Sequence, residues 1–491
     1  MAARVTRIDC GHLIAFIDGR HVVVRGGTVL IEGDRIVHAG GATTAPWDER
    51  IDATDKIVAP GFVSTHNHLG ASPFDRSFRD DTSSRYFWQT GLYEFLTPIR
   101  GAMTAEAVRA AYRASCVEVL HSGVTTAVEL TGWSGIAEEV MTEFGLRSYI
   151  GPYLRSASWR IEGRRLVYDW LDADAESAIY EAARAFVADH SDPDGLVRGV
   201  FAPAQVDTCS PALIQRAAAD ARALGAPIHI HASQSVTEFR EMLERTASTP
   251  IEFLHDLGVM DENLTVAHAI FTAGNSHVEY PWGQDIAYLA TGGSTVAHCP
   301  QAFARYGIAL ESASSLIRAG VRVALGTDTT PQSMLLEMRL AAQLAKHVDR
   351  DAFAFGAADA FHAATVAGAD SLGRPDLGRI EAGAKADMVF YRTDTSSMSP
   401  LRDPVLSIVY SALPSDVDRV IVGGETRLAA GRVVGVDEQE IARGMQTAAE
   451  AVWDAIPEHS GGRTAEDLAP FSVPQLSAES LGAHADVEGE E

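Results

Sequence analysis

The chain has 491 residues, 46% hydrophobic and 22% charged, a globular balance that argues against wholesale disorder and leaves room for a large core plus an accessory domain. Its net charge of −26 repels phosphate backbones and argues against nucleic acid as a partner. No apolar run approaches the ~20 residues of a membrane span. The N-terminus lacks the basic start and long apolar stretch of a secretory leader, and Cys10, Cys116, Cys209 and Cys299 form no CxxC pair. The expectation is a reduced cytoplasmic protein with no membrane partner, acting on a small molecule as a homodimer or higher homo-oligomer.

In chain order, HVVVRGG (21–27), TVLIEGD (28–34) and RIVHAGG (35–41) read as short strands between Gly-containing turns. From Ile57 the pattern changes: apolar, strand-like runs alternate with Ala-, Leu- and Glu-rich helical stretches. The runs are IVAPGFVSTHNH (57–68), GVTTAVEL (123–130), LRSYIGPYL (146–154), VRGVFAP (197–203), APIHIHAS (226–233), LTVAHAI (264–270), GSTVAHCP (293–300) and VRVALGTD (321–328). Helices are expected at Thr104–Leu120, Pro211–Leu224 and Ser312–Ala319, among others. Eight such runs separated by helices predict an α/β fold, a (β/α)8 TIM barrel. Beyond Gly378, ADMVFYR (386–392) and DRVIVGGETRL (418–428) return to strand character. The expected division is therefore a composite β-sandwich from 1–58 and 379–440, a barrel over 59–378, and a C-terminal helix and flexible acidic arm over 441–491.

The ends of the strand-like runs carry the chemistry. His66 and His68 stand two apart at the end of the first run, so both imidazoles project to one face. Taken alone, HxH also occurs on ordinary strands. Further ligand-type residues nevertheless end the fifth run (His229, His231), the sixth (His268), the seventh (His298) and the eighth (Asp328). Barrel active sites lie at the C-terminal ends of the strands, and imidazole suits zinc and other borderline divalent ions. His231 lies nearer the strand mouth than His229, so it is expected to be the ligand and His229 a buried supporting residue.

With these residues in view, the sequence resembles the amidohydrolase superfamily, in its cytosine-deaminase-like and s-triazine-hydrolase-like branch. EGDRIVHAGG, PGFVSTHNHLG, HIHASQ, VAHA, VAHCP, GTDT and GRIEAGAKADMVFY stand where that family has its motifs, over nearly the whole chain. The resemblance implies a barrel with a composite β-sandwich and a metal-activated water attacking an sp² carbon. It also implies that His66, His68, His231, His268 and Asp328 are the metal-site residues. One divalent ion per chain is expected, zinc first, with iron, manganese or cobalt as alternatives. Binuclear members bridge two metals with a lysine on the fourth strand, whereas the lysines here are Lys56, Lys346 and Lys385 alone. Glu129 and Cys209 are poorly placed to replace that bridge.

Asp328 is the expected acceptor of the water proton, and His298 is expected to hold the substrate oxygen or the departing group. The sequence departs from the deaminases of this branch at Gln234, where they carry a glutamate that shuttles a proton to the ring nitrogen. Glutamine hydrogen-bonds but does not titrate in this range. The histidine that adenosine-type deaminases place after the fourth-strand proline is Ala204 here. These two losses favour hydrolysis of an amide, urea or carbamate bond in a small, aromatic organic substrate. The alternative is deamination or dechlorination of an s-triazine, pterin or purine, with Glu238 standing in as the shuttle. Gln234, His298, Trp88, Phe303 and Arg305 are expected to contact substrate, with Trp133, Trp159, Tyr306 and the aromatic run near Trp88 as further candidates for the pocket.

Overall fold

The computed structural model describes residues 4–78, 87 and 90–477. The expected arm beyond residue 477 and Trp88 lie outside them. Two parallel strand runs organise the α/β centre. The first comprises β1 (Phe62–Asn67), β2 (Val124–Thr131), β3 (Arg147–Leu154) and β4 (Val197–Gly199, continued after a break by Ala202–Pro203), each paired with the next in chain order. The second comprises β5 (Ile228–Ala232), β6 (Leu264–His268), β7 (Thr295–His298) and β8 (Arg322–Leu325). Phe201 bridges Ile228 and Gln205 bridges His231 between the two runs. At the other edge Asn67 bridges Asp328, and the Asp328 amide donates to the His66 carbonyl at 2.8 Å. Every residue of β1, β2, β5, β6 and β7 is buried. Such burial explains why these strands read as continuous apolar runs rather than alternating ones.

Helices cover the outer faces of the strands. Thr104 caps Ala105–His121 by accepting from the Ala107 amide, and that helix lays Tyr112, Cys116 and Val119 into a core shared with Phe62 and Val124. Pro211–Leu224 matches its expected limits because its signals are local. Ser210 caps it, Pro211 opens it, and Gly225 closes it at φ 61°. A nine-stranded sheet draws on both ends of the chain, with Met388–Arg392 antiparallel to Glu49–Pro60. The helix Glu438–His459 packs Ala449, Val452 and Ile456 against Phe74, Phe95 and Ile99. One element was not foreseen, an antiparallel hairpin of Ala157–Glu162 and Arg165–Trp170 that follows β3. Among the described residues no helix is long and apolar enough to cross a membrane.

Gly326 marks the tightest approach between β8 and β1. A Cβ there would lie 2.7 Å from the His66 amide nitrogen and 2.8 Å from its Cβ. Gly326→Ala is therefore expected to push β1 away and to destabilise the protein by about 1–3 kcal/mol, the usual cost of overpacking. Thermal unfolding checks this, and an unchanged melting temperature would mean that β1 yields freely.

Candidate metal centre and active site

The C-terminal ends of β1, β5, β6 and β8 bring His66, His68, His231, His268 and Asp328 together. Ligand atoms of His66, His68 and His231 lie within 4.8 Å of one another, as do those of His66, His268 and Asp328. Asp328 Oδ1 stands 3.6 Å from His66 Nε2 and 3.5 Å from His68 Nε2, and its Oδ2 stands 4.0 Å from His268 Nε2. The backbone is bent to make this possible. Asp328 itself has φ 52°, while Ser233 and Ala269, just past β5 and β6, have φ 56° and 53°. Left-handed conformations cost non-glycine residues about 1 kcal/mol or more, and they recur where function demands a particular side-chain direction.

The hydrogen bonds fix which nitrogen of each ring keeps a lone pair. His231 Nδ1 lies 2.5 Å from the Ala204 carbonyl, and His68 Nδ1 lies 3.0 Å from the Leu130 carbonyl. A carbonyl only accepts, so both Nδ1 atoms carry the proton and both Nε2 atoms carry lone pairs. Those two Nε2 atoms face each other at 3.3 Å. Two converging lone pairs are relieved by a cation. Among the described residues, the buried Nε2 atoms of His66 and His268 also have no hydrogen-bond partner. Burial, followed by the neighbouring imidazoles, holds His66 and His231 well below the ordinary histidine range. Burial brings His268 to about 4 and His229 and His298 to about 3. Neutral imidazole is the form that binds metal. The donor set therefore fits one divalent ion.

Glu129 and Cys209, the remaining candidates for a second-metal bridge, are otherwise engaged. Glu129 accepts from the Leu69 amide and the Tyr112 hydroxyl, both at 2.8 Å, and Cys209 Sγ donates to the Leu154 carbonyl.

A cavity of about 250 Å³ opens above this cluster, and His68, His231, Gln234 and Asp328 line its wall. Leu92, Leu96, Ile99, Trp159, Phe303 and Tyr306 give it an apolar surface. Of the other expected contacts, His298 ends β7 in a buried position, while Arg305 is half-buried. Neither is among the lining residues. Trp133 is 38% exposed and likewise away from the wall.

Glu238 is not on the wall. Its oxygens accept from the Ser233 and Gln234 amides, and its own amide donates to the Ser235 hydroxyl. Burial and the charge of Asp207 raise its carboxyl well above the usual range. It shapes the turn that carries Gln234.

Three further groups escaped the sequence reading. Gln205 donates to Gln234 Oε1 at 3.0 Å and so orients that amide in the cavity. Its position just past the fourth strand was the available signal. Tyr153 places its hydroxyl 3.1 Å from His68 Nδ1. Asp207 accepts from Trp159 Nε1 at 3.1 Å and from the Tyr168 hydroxyl at 2.7 Å, tying the unforeseen hairpin to the cavity rim.

The amidohydrolase family model matches residues 57–427, which span the strand ends that build this cluster. The chain belongs to the amidohydrolase family. It is a hydrolase, and its family and its sequence both point to carbon–nitrogen bonds other than peptide bonds. It is 31% identical over 426 residues to 5-methylthioadenosine/S-adenosylhomocysteine deaminase of Natronomonas pharaonis, covering 86% of this chain and 93% of that protein. It is 28% identical over 431 residues to 5'-deoxyadenosine deaminase of Methanosarcina mazei, covering 87% and 94%. Its fold is similar to that of a zinc-bound adenosine deaminase from Xanthomonas campestris, with TM-score 0.78, 23% identity, and 91% and 98% of the two chains covered. It is equally similar to a glutamate-to-glutamine mutant of atrazine chlorohydrolase TrzN from Arthrobacter aurescens, complexed with zinc and atraton. There the TM-score is 0.79, the identity 22%, and the coverage 90% and 100%.

Proposed function

We propose that the protein hydrolyses an amide, urea or carbamate C–N bond in a small, partly aromatic organic molecule. The observation that carries this reading is the cavity wall at Gln234. A neutral amide, held by Gln205, occupies the place of the titratable shuttle, and Glu238 faces the backbone instead. Two parallel runs bridged at both edges support a closed (β/α)8 barrel. The nine-stranded sheet supports a small composite β-sandwich, with the domain limits given above.

His66, His68, His231, His268 and Asp328 would hold one divalent ion, most naturally zinc. Bound there, the ion supplies the Lewis acidity that makes water nucleophilic near neutral pH. Asp328 takes the proton of the attacking water and returns it to the departing nitrogen. Gln234 Nε2 donates to the substrate oxygen while its Oε1 is engaged by Gln205. His298, neutral and with its Nδ1 unpartnered among the described residues, is not one of the lining residues, and contact with the substrate oxygen or the departing group is proposed for it from its place at the end of the seventh strand alone. Trp159 and Phe303 bound the apolar part of the substrate.

A second reading, deamination of an N-heterocycle, is favoured by the adenosine-type deaminases among the relatives. The two are separated by assaying metal-loaded enzyme on anilides, phenylureas, carbamates, aminotriazines and adenosine-type nucleosides. The first reading expects release of amine or carbon dioxide. Efficient ammonia release from heterocycles, with the linear substrates ignored, would replace it with the second. Gln234→Glu adds a further check. A carboxylate beside the substrate oxygen is mismatched to a site built around a neutral donor, so turnover of linear substrates is expected to fall while weak activity on aminated heterocycles appears. Steady-state kinetics of both proteins on both classes measures this, and a variant as fast as wild type on linear substrates would remove Gln234 from the contact.

A further inference from the structure

We infer that His229 is a positioning residue for the metal centre: it sets the tautomer of His66 and thereby keeps the His66 Nε2 lone pair directed at the ion. The inference rests on reading His66, His68, His231, His268 and Asp328 as the ligands.

His68 and His231 each meet a backbone carbonyl at Nδ1, and a carbonyl leaves the ring only one tautomer. His66 differs. Its Nδ1 lies 3.0 Å from Nε2 of His229, with the two rings stacked at 13° and their centroids 4.9 Å apart. An imidazole either donates or accepts at Nε2, so this contact alone permits two arrangements. If His229 donates, the His66 proton moves to Nε2 and blocks the site. If His229 accepts, His66 Nδ1 keeps its proton and Nε2 faces Asp328 Oδ1 at 3.6 Å with its lone pair free. The second arrangement requires His229 to hold its own proton at Nδ1.

The geometry makes His229 a partner rather than a ligand. It alternates with His231 along β5, yet it joins neither group of converging ligand atoms. The His229 backbone is fixed by pairing with Thr265 on β6 and by donation from its amide to the Phe201 carbonyl at 2.8 Å. His229 and His66 are both buried, so water does not substitute freely for the acceptor. Outer partners of this kind orient ligands and carry about a 10- to 100-fold effect on metal affinity.

The test compares His229→Gln with His229→Leu. The Gln side chain reaches the Nε2 position with an amide oxygen that accepts from His66, whereas Leu offers apolar bulk without an acceptor. Zinc affinity of each metal-stripped protein is measured by chelator competition, and the visible spectrum of the cobalt(II)-loaded protein is recorded. His229→Leu should bind zinc about 10- to 100-fold more weakly and alter the cobalt spectrum, while His229→Gln should stay within about threefold of wild type. If Leu prevents folding, His229→Asn takes its place, because its amide stops short at the Nδ1 position and loses the contact. Wild-type affinity in the acceptor-less variant, or equal loss in Gln and Leu or in Gln and Asn, would overturn the assignment. A wild-type protein that binds no zinc would instead defeat the underlying ligand reading.

Discussion

Asp328→Asn is expected to keep its fold and its metal but to lose about a hundredfold or more in turnover, because general-base assistance typically contributes 10²–10⁴. Asparagine suits this test for a backbone reason as well as a chemical one. Residue 328 has φ 52°, a conformation that Asn and Asp tolerate better than other residues with a side chain. Its amide and carbonyl bonds to His66 and His68 should therefore persist. Asn keeps one oxygen facing the imidazoles but cannot accept the water proton. The check is kcat of the metal-replete variant on whichever substrate wild type hydrolyses, with metal content measured on the same sample. Near-normal turnover would remove Asp328 from the proton-transfer role and leave it a ligand only.

The parts of this architecture that were legible share a physical cause: their signals are local or periodic. Parallel strands buried on both faces must be continuously apolar, and the eight runs could be read for that reason. Ser210, Pro211 and Gly225 punctuate their helix within a few residues at each end. Ligand-type residues at strand ends were visible because alternation decides which of them share a face.

What stayed hidden depends on contacts across the fold. Nothing near Gln205 says that it will meet Gln234, and nothing in HIH says that His229 will turn its ring to His66, 163 residues earlier in the chain. The hairpin Ala157–Trp170 is held to the rim by Asp207, which the chain supplies only after β4. Glu238 is different, because its signal was present. Ser235-Val236-Thr237-Glu238 has the spacing of a helix N-terminal capping box. In that pattern the glutamate reaches back to the N-cap amide; here it goes further back, to the amides of Ser233 and Gln234.

The other large effect is expected at His268. His268→Ala should abolish activity and tightly bound metal together, and His66→Ala should do the same. His268 is fully buried, its ring stands edge-on to Phe303 at 4.8 Å, and neither of its nitrogens has a hydrogen-bond partner among the described residues. Toward the rest of the described protein that ring contributes packing and no residue-to-residue hydrogen bond. Its removal should cost the apo-protein the price of a cavity and little more. The metal-loaded protein should behave otherwise, because an ion that binds only the folded state stabilises it by about 2.7 kcal/mol at a hundred times its Kd. Thermal unfolding with and without zinc separates these contributions. Wild type should gain stability on loading and His268→Ala should gain none, while elemental analysis should find about one ion per wild-type chain. A variant that keeps both metal and activity would mean that the ligand set is wrong. Two tightly bound ions per active chain would mean that the site is binuclear, despite the engagement of Glu129 and Cys209 elsewhere.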